Sequence, residues 1–209
     1  MSEPRPGNLF IFAAPSGGGK TSLVKALLET DGGLTLSVSH TTRPRRPGEA
    51  DGTHYHFVGT DEFARMVEDG EFLEHARVFD YLYGTSHKAI AGQLERGLDV
   101  LLDIDWQGAR QVRAAFPRCC SIFIIPPSLD ALRDRLTRRA QDSAAVIERR
   151  MRDARAEISH WREFDHVVVN DDFDAALEEL RGIIGDHRDG KLRPANDAAK
   201  RLAQQLGTR

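Results

Sequence analysis

Leu9-Phe10-Ile11-Phe12-Ala13-Ala14-Pro15-Ser16-Gly17-Gly18-Gly19-Lys20-Thr21 is an apolar run, then a glycine-rich turn, then a lysine and a hydroxyl. The apolar half reads as a buried parallel strand. Beyond the turn, Leu23, Val24, Leu27 and Leu28 recur at helical spacing. Strand, glycine turn and helix in that order are the setting of a phosphate-binding loop. Glycines let successive backbone N–H groups turn inward around phosphate oxygens. The helix N-terminus adds the positive end of its dipole. Lys20 can then reach β- and γ-phosphates, and the Thr21 hydroxyl can ligate Mg²⁺. Ala14 stands where the pattern usually opens with glycine, and the three glycines beside the lysine are intact. The stretch predicts a nucleoside triphosphate site.

Outward from this loop, apolar strands and amphipathic helices alternate. Val100-Leu101-Leu102-Asp103 is a buried strand ending in a carboxylate, with Asp105 two residues on. Ligands of open parallel sheets bind at that edge, and an acid there can hold Mg²⁺ through water. Ser121–Ile125 and Val167–Val169 are further strands. The helix after Pro126-Pro127 is expected to start at a Ser128 cap. A second helix is expected from Asp142-Ser143, and a closing helix with Leu177, Leu180 and Ile184 is expected to stop at Gly185. One strand per helix argues for a parallel sheet covered on both faces. Residues 39–90 break the pattern. The prolines and glycine of 41–48 make a loop, Tyr55 and Phe57 suggest a short strand, Asp61 suits a helix cap, and 72–79 reads as a strand. The domain reading is a core of 1–38, 91–128 and 165–186, an insertion at 39–90, arginine-rich helices at 129–164, and a polar tail at 187–209. Leu202 and Leu206 mark an exposed or partner-dependent helix in the tail.

The chain has 209 residues, 40% hydrophobic and 29% charged, which is enough for one core with insertions. A net charge of −3 gives no basis for nucleic-acid binding. No apolar run nears the roughly 20 residues of a membrane helix. Residues 1–8 lack the apolar centre of an export signal. Cys119 and Cys120 are adjacent, with no disulfide or metal-ligand spacing. A reducing cytoplasm is expected. Of 29 basic residues 24 are arginine, whose planar fork suits phosphate. Arg135 and Arg139 share one helix face, and Arg150 sits on the next helix. Near a phosphate loop such helices could close as a lid and stabilise a moving phosphoryl group.

Taken together, the chain resembles the bacterial guanylate kinases, P-loop kinases of nucleoside monophosphates. The resemblance rests on residues 14–20, Ser-Val-Ser-His-Thr-Thr-Arg at 37–43, Arg-Pro-Gly-Glu at 46–49 and Gly-Thr-His-Tyr at 52–55. It continues with Phe-Leu-Glu-His-Ala at 72–76, Tyr-Gly-Thr-Ser at 83–86, Leu-Asp-Ile-Asp-Trp-Gln-Gly at 102–108 and Val-Asn-Asp-Asp at 169–172. It implies an α/β fold: a P-loop NTPase-type parallel sheet flanked by helices, with a small α+β insertion for GMP and a helical lid. It also implies Mg²⁺-dependent transfer from ATP to GMP or dGMP, giving ADP and GDP, in purine nucleotide metabolism and GMP recycling. ATP would lie on Ala14, Pro15, Ser16, Gly17, Gly18, Gly19, Lys20, Thr21, Ser22 and Asn170. GMP would lie on Ser39, Arg43, Arg46, Tyr55, Glu74, Tyr83, Thr85, Asp103 and Asp105. Lys20, Arg43, Arg135, Arg139 and Arg150 would serve transfer, and Thr21 and, through water, Asp103 would hold the metal. The partners implied are the two nucleotides, with no nucleic acid and no membrane, and a homo-oligomer remains open. Ala140 stands where glycine is common after Arg139, and Leu82 where a tyrosine often precedes Tyr83.

The residue chemistry agrees. Guanine offers donors at N1 and N2 and an acceptor at O6. Glu74 can accept the former, and Ser39 and Thr85 can donate to the latter. Two rival readings stay in view: a guanylate kinase-like protein-binding module without turnover, and a kinase for another nucleoside monophosphate. Lys20 and Thr21 speak against the first, and Glu74 beside Asp105 against adenine.

Overall fold

The computed structural model describes residues 6–78, 80–138 and 144–207. In chain order it contains β1 (Leu9–Ala13), α1 (Lys20–Thr30), β2 (Leu34–Leu36), β3 (His40–Thr41), β4 (His56–Phe57), α2 (Thr60–Glu68), β5 (Phe72–Val78), β6 (Tyr81–Ser86) and α3 (His87–Glu95). There follow β7 (Asp99–Asp103), α4 (Trp106–Ala115), β8 (Cys120–Ile125), α5 (Leu129–Arg138), α6 (Ala144–Ile158), a 3₁₀ turn (Ser159–Glu163), β9 (His166–Val169), α7 (Phe173–Arg188) and α8 (Asp197–Gly207).

Five strands form a parallel sheet in the order β2-β7-β1-β8-β9. β1 is central and buried along its length. Its side chains alternate between two cores. Leu9, Ile11 and Ala13 join Val112 of α4 and Ile90 of α3, while Phe10 and Phe12 join Leu23 and Leu27 of α1 and Leu180 and Ile184 of α7. A strand buried on both faces has no polar side to alternate with, which explains its unbroken apolar run. Phe12 lies beside Asp103 in register, so the ends of β1 and β7 open at one edge. The chain changes direction across the sheet at β1, where such folds place ligands.

A second sheet, β4-β3-β6-β5, stands within residues 39–90. β5 and β6 are an antiparallel hairpin, and β3 pairs antiparallel with β6.

Several local expectations change. α2 starts after Gly59, and Asp61 lies inside its first turn, where its charge favours the helix dipole. α7 does not stop at Gly185. It runs to Arg188, and Gly190, at φ 67°, makes the left-handed exit. The tail is not an exposed helix: Ala199, Ala203 and Leu206 of α8 are buried against Ile158, Phe164 and Val167. Its partner is the chain's own core. Ser128 does cap α5, accepting the Ala131 N–H at 3.0 Å. The expected start of the second helix at Asp142-Ser143, the end of the expected 72–79 strand, Arg139 and Ala140 lie outside the described residues.

Candidate functional site

Between β1 and α1 the chain turns through residues 14–19. Gly17 and Gly19 adopt φ of +88° and +91°, a region that side chains resist. A Cβ on Gly19 would also overlap Asn170 Nδ2. Asn170 follows β9 and braces the loop, donating from Nδ2 to the Gly18 carbonyl at 2.8 Å. Its own carbonyl accepts from Arg135 Nη2 at 2.7 Å. The other terminal nitrogen of Arg135, Nη1, is buried without a hydrogen-bond partner among the described residues. A donor left over beside a phosphate loop suits an anionic ligand. Lys20 Nζ lies 2.6 Å from Asp103 Oδ1 and donates to the Ile104 carbonyl at 2.8 Å. The lysine thus spans from α1 to the carboxyl end of β7.

At the second sheet, Ser39 just before β3, Glu74 of β5 and Thr85 of β6 form a buried polar group. Thr85 donates from Oγ1 to Glu74 Oε1, and Ser39 Oγ lies 3.3 Å from Thr85 Oγ1. Glu74 is 3% exposed. Burial pushes its pKa up to about 7, and the nearby Asp105 adds to this, against the opposing Thr85 hydrogen bond. Asp105 caps α4, accepting the Gly108 N–H at 2.9 Å and Gln107 Nε2 at 3.0 Å.

Arg43 is buried in a nest of its own. It pairs with Glu49 at 2.7 Å and donates to the Pro44 carbonyl at 2.9 Å. Its guanidinium lies 5.3 Å from the Tyr55 ring centre, and Tyr55 meets Tyr83 edge to face at 5.9 Å. Burial first, then Asp103 and Tyr83, push the Tyr55 hydroxyl pKa up to about 12, so it stays a neutral donor. The Arg46 side chain is exposed, while its N–H binds Glu49 Oε2 at 2.8 Å.

One cleft of about 280 Å³ joins the two halves. Its wall takes in residues 14–22 from the loop side, Ser39, Tyr55, Glu74 and Tyr83 from the second sheet, and Asp103 and Asp105 from the end of β7. Arg43, Arg46, Thr85, Arg135, Arg150 and Asn170 form no part of that wall. Thr85 and Asn170 bond the wall residues Glu74 and Gly18, Arg135 stands one step further back on the Asn170 carbonyl, and Arg150 donates to Ser16 Oγ at 2.9 Å.

Three residues were given no role by the sequence reading, although Glu49 and Gly108 lie inside its motifs. Glu157 lines the cleft and accepts the Ser16 N–H at 2.9 Å. It stands seven residues from Arg150, on the same helix face, and that spacing was the available signal. Glu49 holds Arg43. Gly108 lies so near Glu74 that a Cβ would overlap Oε2. A glycine in the first turn of a helix was its sign, because alanine is the better helix former.

A family model described as guanylate kinase matches residues 6–187. A guanylate kinase from Alkalilimnicola ehrlichii is 54% identical over 202 residues, 97% of this chain and all of that one. One from Chromohalobacter salexigens is 55% identical over 206 residues, 99% of this chain and 96% of that one. Among solved structures, a guanylate kinase from Anaplasma phagocytophilum is similar with a TM-score of 0.74 and 34% identity, covering 90% of this chain and 88% of that one.

Proposed function

The chain belongs to the guanylate kinase family, and from that premise we propose that it transfers the γ-phosphoryl group of ATP to GMP, or dGMP, giving ADP and GDP. One observation carries the reading: a phosphate loop with its lysine and a buried Glu74–Thr85–Ser39 array share one cleft. The donor's phosphates would lie among the inward-turned amides of residues 14–21, with Lys20 on the transferred end. Guanine would lie on Glu74, whose ionised carboxylate accepts from N1 and N2, with the Ser39 and Thr85 hydroxyls toward O6. Adenine would leave these buried groups unpaired, and sites of this kind reject the wrong ligand by ~10⁴-fold. Arg43, Arg46, Tyr55 and Tyr83 would take the GMP phosphate.

Transfer is direct and in line, with no covalent intermediate. The attacking GMP oxygen is already anionic, so positioning and charge stabilisation by Lys20, Arg135, Arg139 and Arg150 do the chemistry. Thr21 and Asp103 are hard oxygen donors at the loop, and among the described residues no cluster of three or more His, Cys, Asp or Glu could hold a metal alone. That fits Mg²⁺, which takes few protein ligands and completes its shell with water and phosphate. Thr21 directly and Asp103 through water would hold it, where it would neutralise charge on the β- and γ-oxygens. No described helix is long and apolar enough to cross a membrane. Work in the cytoplasm on small nucleotides, within purine metabolism, is part of the same reading.

A coupled assay of ADP release with GMP, dGMP, AMP, UMP and CMP tests it. Turnover should be fast with the two guanine nucleotides alone, and faster turnover with AMP would sink the guanine assignment. Lys20→Ala should abolish transfer and leave GMP affinity nearly intact. Equal loss of GMP binding would mean the two subsites are misassigned.

A further inference from the structure

Helix α6 touches the phosphate loop at two adjacent points. Arg150 donates to Ser16 Oγ at 2.9 Å, and Glu157 accepts the Ser16 backbone N–H at 2.9 Å. In the second contact the chain's own carboxylate occupies one of the amides that line a loop suited to anions. Glu157 also forms part of the cleft wall. A triphosphate on this loop needs the same amide and the same electropositive surroundings.

We propose that Glu157 is a positioning residue that competes with the phosphate donor for the Ser16 N–H, so that donor binding releases α6 from the loop and reseats Arg150. This rests on the ATP reading above and extends it with a specific antagonist of the donor. The groups facing the carboxylate are the Ser16 N–H, Lys20 of α1, Asp105 at the start of α4 and Asp153 of its own helix; Arg150 stands two helical turns away. Burial raises the Glu157 pKa to about 6, the Ser16 N–H and Lys20 work against that rise, and Asp105 and Asp153 add to it. The charge is therefore costly where it stands, as expected of a group that must give way when more negative charge arrives.

The experiment is equilibrium titration of full-length wild type, Glu157→Gln and Glu157→Ala with Mg-ATP and, separately, with GMP, at pH 5 and pH 8. At pH 8 both variants should bind ATP about 3- to 10-fold more tightly than wild type, Ala at least as tightly as Gln, with GMP affinity within 2-fold. At pH 5, where wild-type Glu157 is protonated, the advantage of Gln should vanish. Unchanged or weaker ATP binding by both variants would overturn the proposal. So would weakening by Ala with no change by Gln, which would make Glu157 a brace of the loop and nothing more. An advantage undiminished at pH 5 would overturn it as well. Wild type and Lys20→Ala separate the two readings. If wild type binds ATP and the lysine variant does not, the donor site stands whatever the Glu157 variants do. If wild type fails to bind ATP, both fall together.

Discussion

At the scale of single residues, Glu74 joins stability to recognition. In the unfolded chain a glutamate ionises near 4.5, and in the fold Glu74 ionises near 7. Between those values the folded chain holds a proton that the unfolded chain has lost. Stability is therefore fully present below about pH 4.5 and declines as pH rises through about 7, by about 3 kcal/mol in all. Glu74→Gln removes that titration. Urea unfolding at pH 5 and pH 8 should show the variant gaining on wild type by about 2–3 kcal/mol between the two. A parallel pH dependence in both proteins would place the titration elsewhere. The proposed guanine contact uses the ionised form, so wild-type affinity for GMP should rise from pH 6 to pH 8 more steeply than that of Glu74→Gln, by isothermal titration. Glu74→Ala should weaken GMP on the order of 100-fold or more and ATP by less than 2-fold, since a buried partner is lost on one side of the cleft only. The motif around Glu74 was legible, and the residue's proposed role toward the base comes from the resemblance that motif carries. Its raised pKa was not legible, because it comes from burial in the fold and from the charge of Asp105, which meet Glu74 only in the tertiary structure.

Among the elements, the start of α4 is where local preference and tertiary packing disagree. Alanine is favoured over glycine in a helix by about 1 kcal/mol. Position 108 keeps glycine because Glu74 Oε2 occupies the space of a Cβ. Gly108→Ala should therefore raise KM for GMP tenfold or more, leave KM for ATP unchanged, and fail to raise the melting temperature. A raised melting temperature with ordinary GMP kinetics would show that the helix has room to spare. Asp105 supplies the cap of the same helix. Asp105→Ala should cost about 1 kcal/mol of stability, and Asp105→Asn, which keeps a capping oxygen, much less, by urea unfolding. The same paired comparison reads Glu74, whose pKa should fall in both variants once the like charge is gone. Strands β1, β7, β8 and β9 were all legible as apolar runs. The exit of α7 was not, since Gly185 sits mid-helix and only backbone φ identifies Gly190 as the turn.

Across the whole molecule, α8 closes one face of the sheet. Leu206 is 7% exposed and packs in the core with Ile158, Phe164 and Val167. Leu206→Ala should cost about 2–4 kcal/mol and lower the melting temperature by roughly 5–10 °C. The substitution lies away from the cleft, so KM for either nucleotide should stay within 2-fold at 25 °C. A melting temperature unmoved by the change would mean that α8 rests loosely on the core. The other end of α7 is tied by Arg188, which reaches Asp31 after α1 at 2.7 Å and Asp99 at the start of β7 at 2.5 Å. These contacts fix the two helices against the sheet edge opposite the cleft.

By itself the sequence determined the central strands, the glycine-rich loop with its lysine, and the residue types at the proposed guanine site. Those features are written locally, as unbroken apolar runs, as glycines before a lysine, and as residue types within short motifs. Only the tertiary structure decided that Glu157 holds the loop, that Gly108 yields space to Glu74, that Arg43 is anchored on Glu49 and that the tail belongs to the core. The first, second and fourth depend on residues far apart in the chain meeting in space, and the third on how the short loop between residues 43 and 49 folds back on itself; no local pattern encodes either.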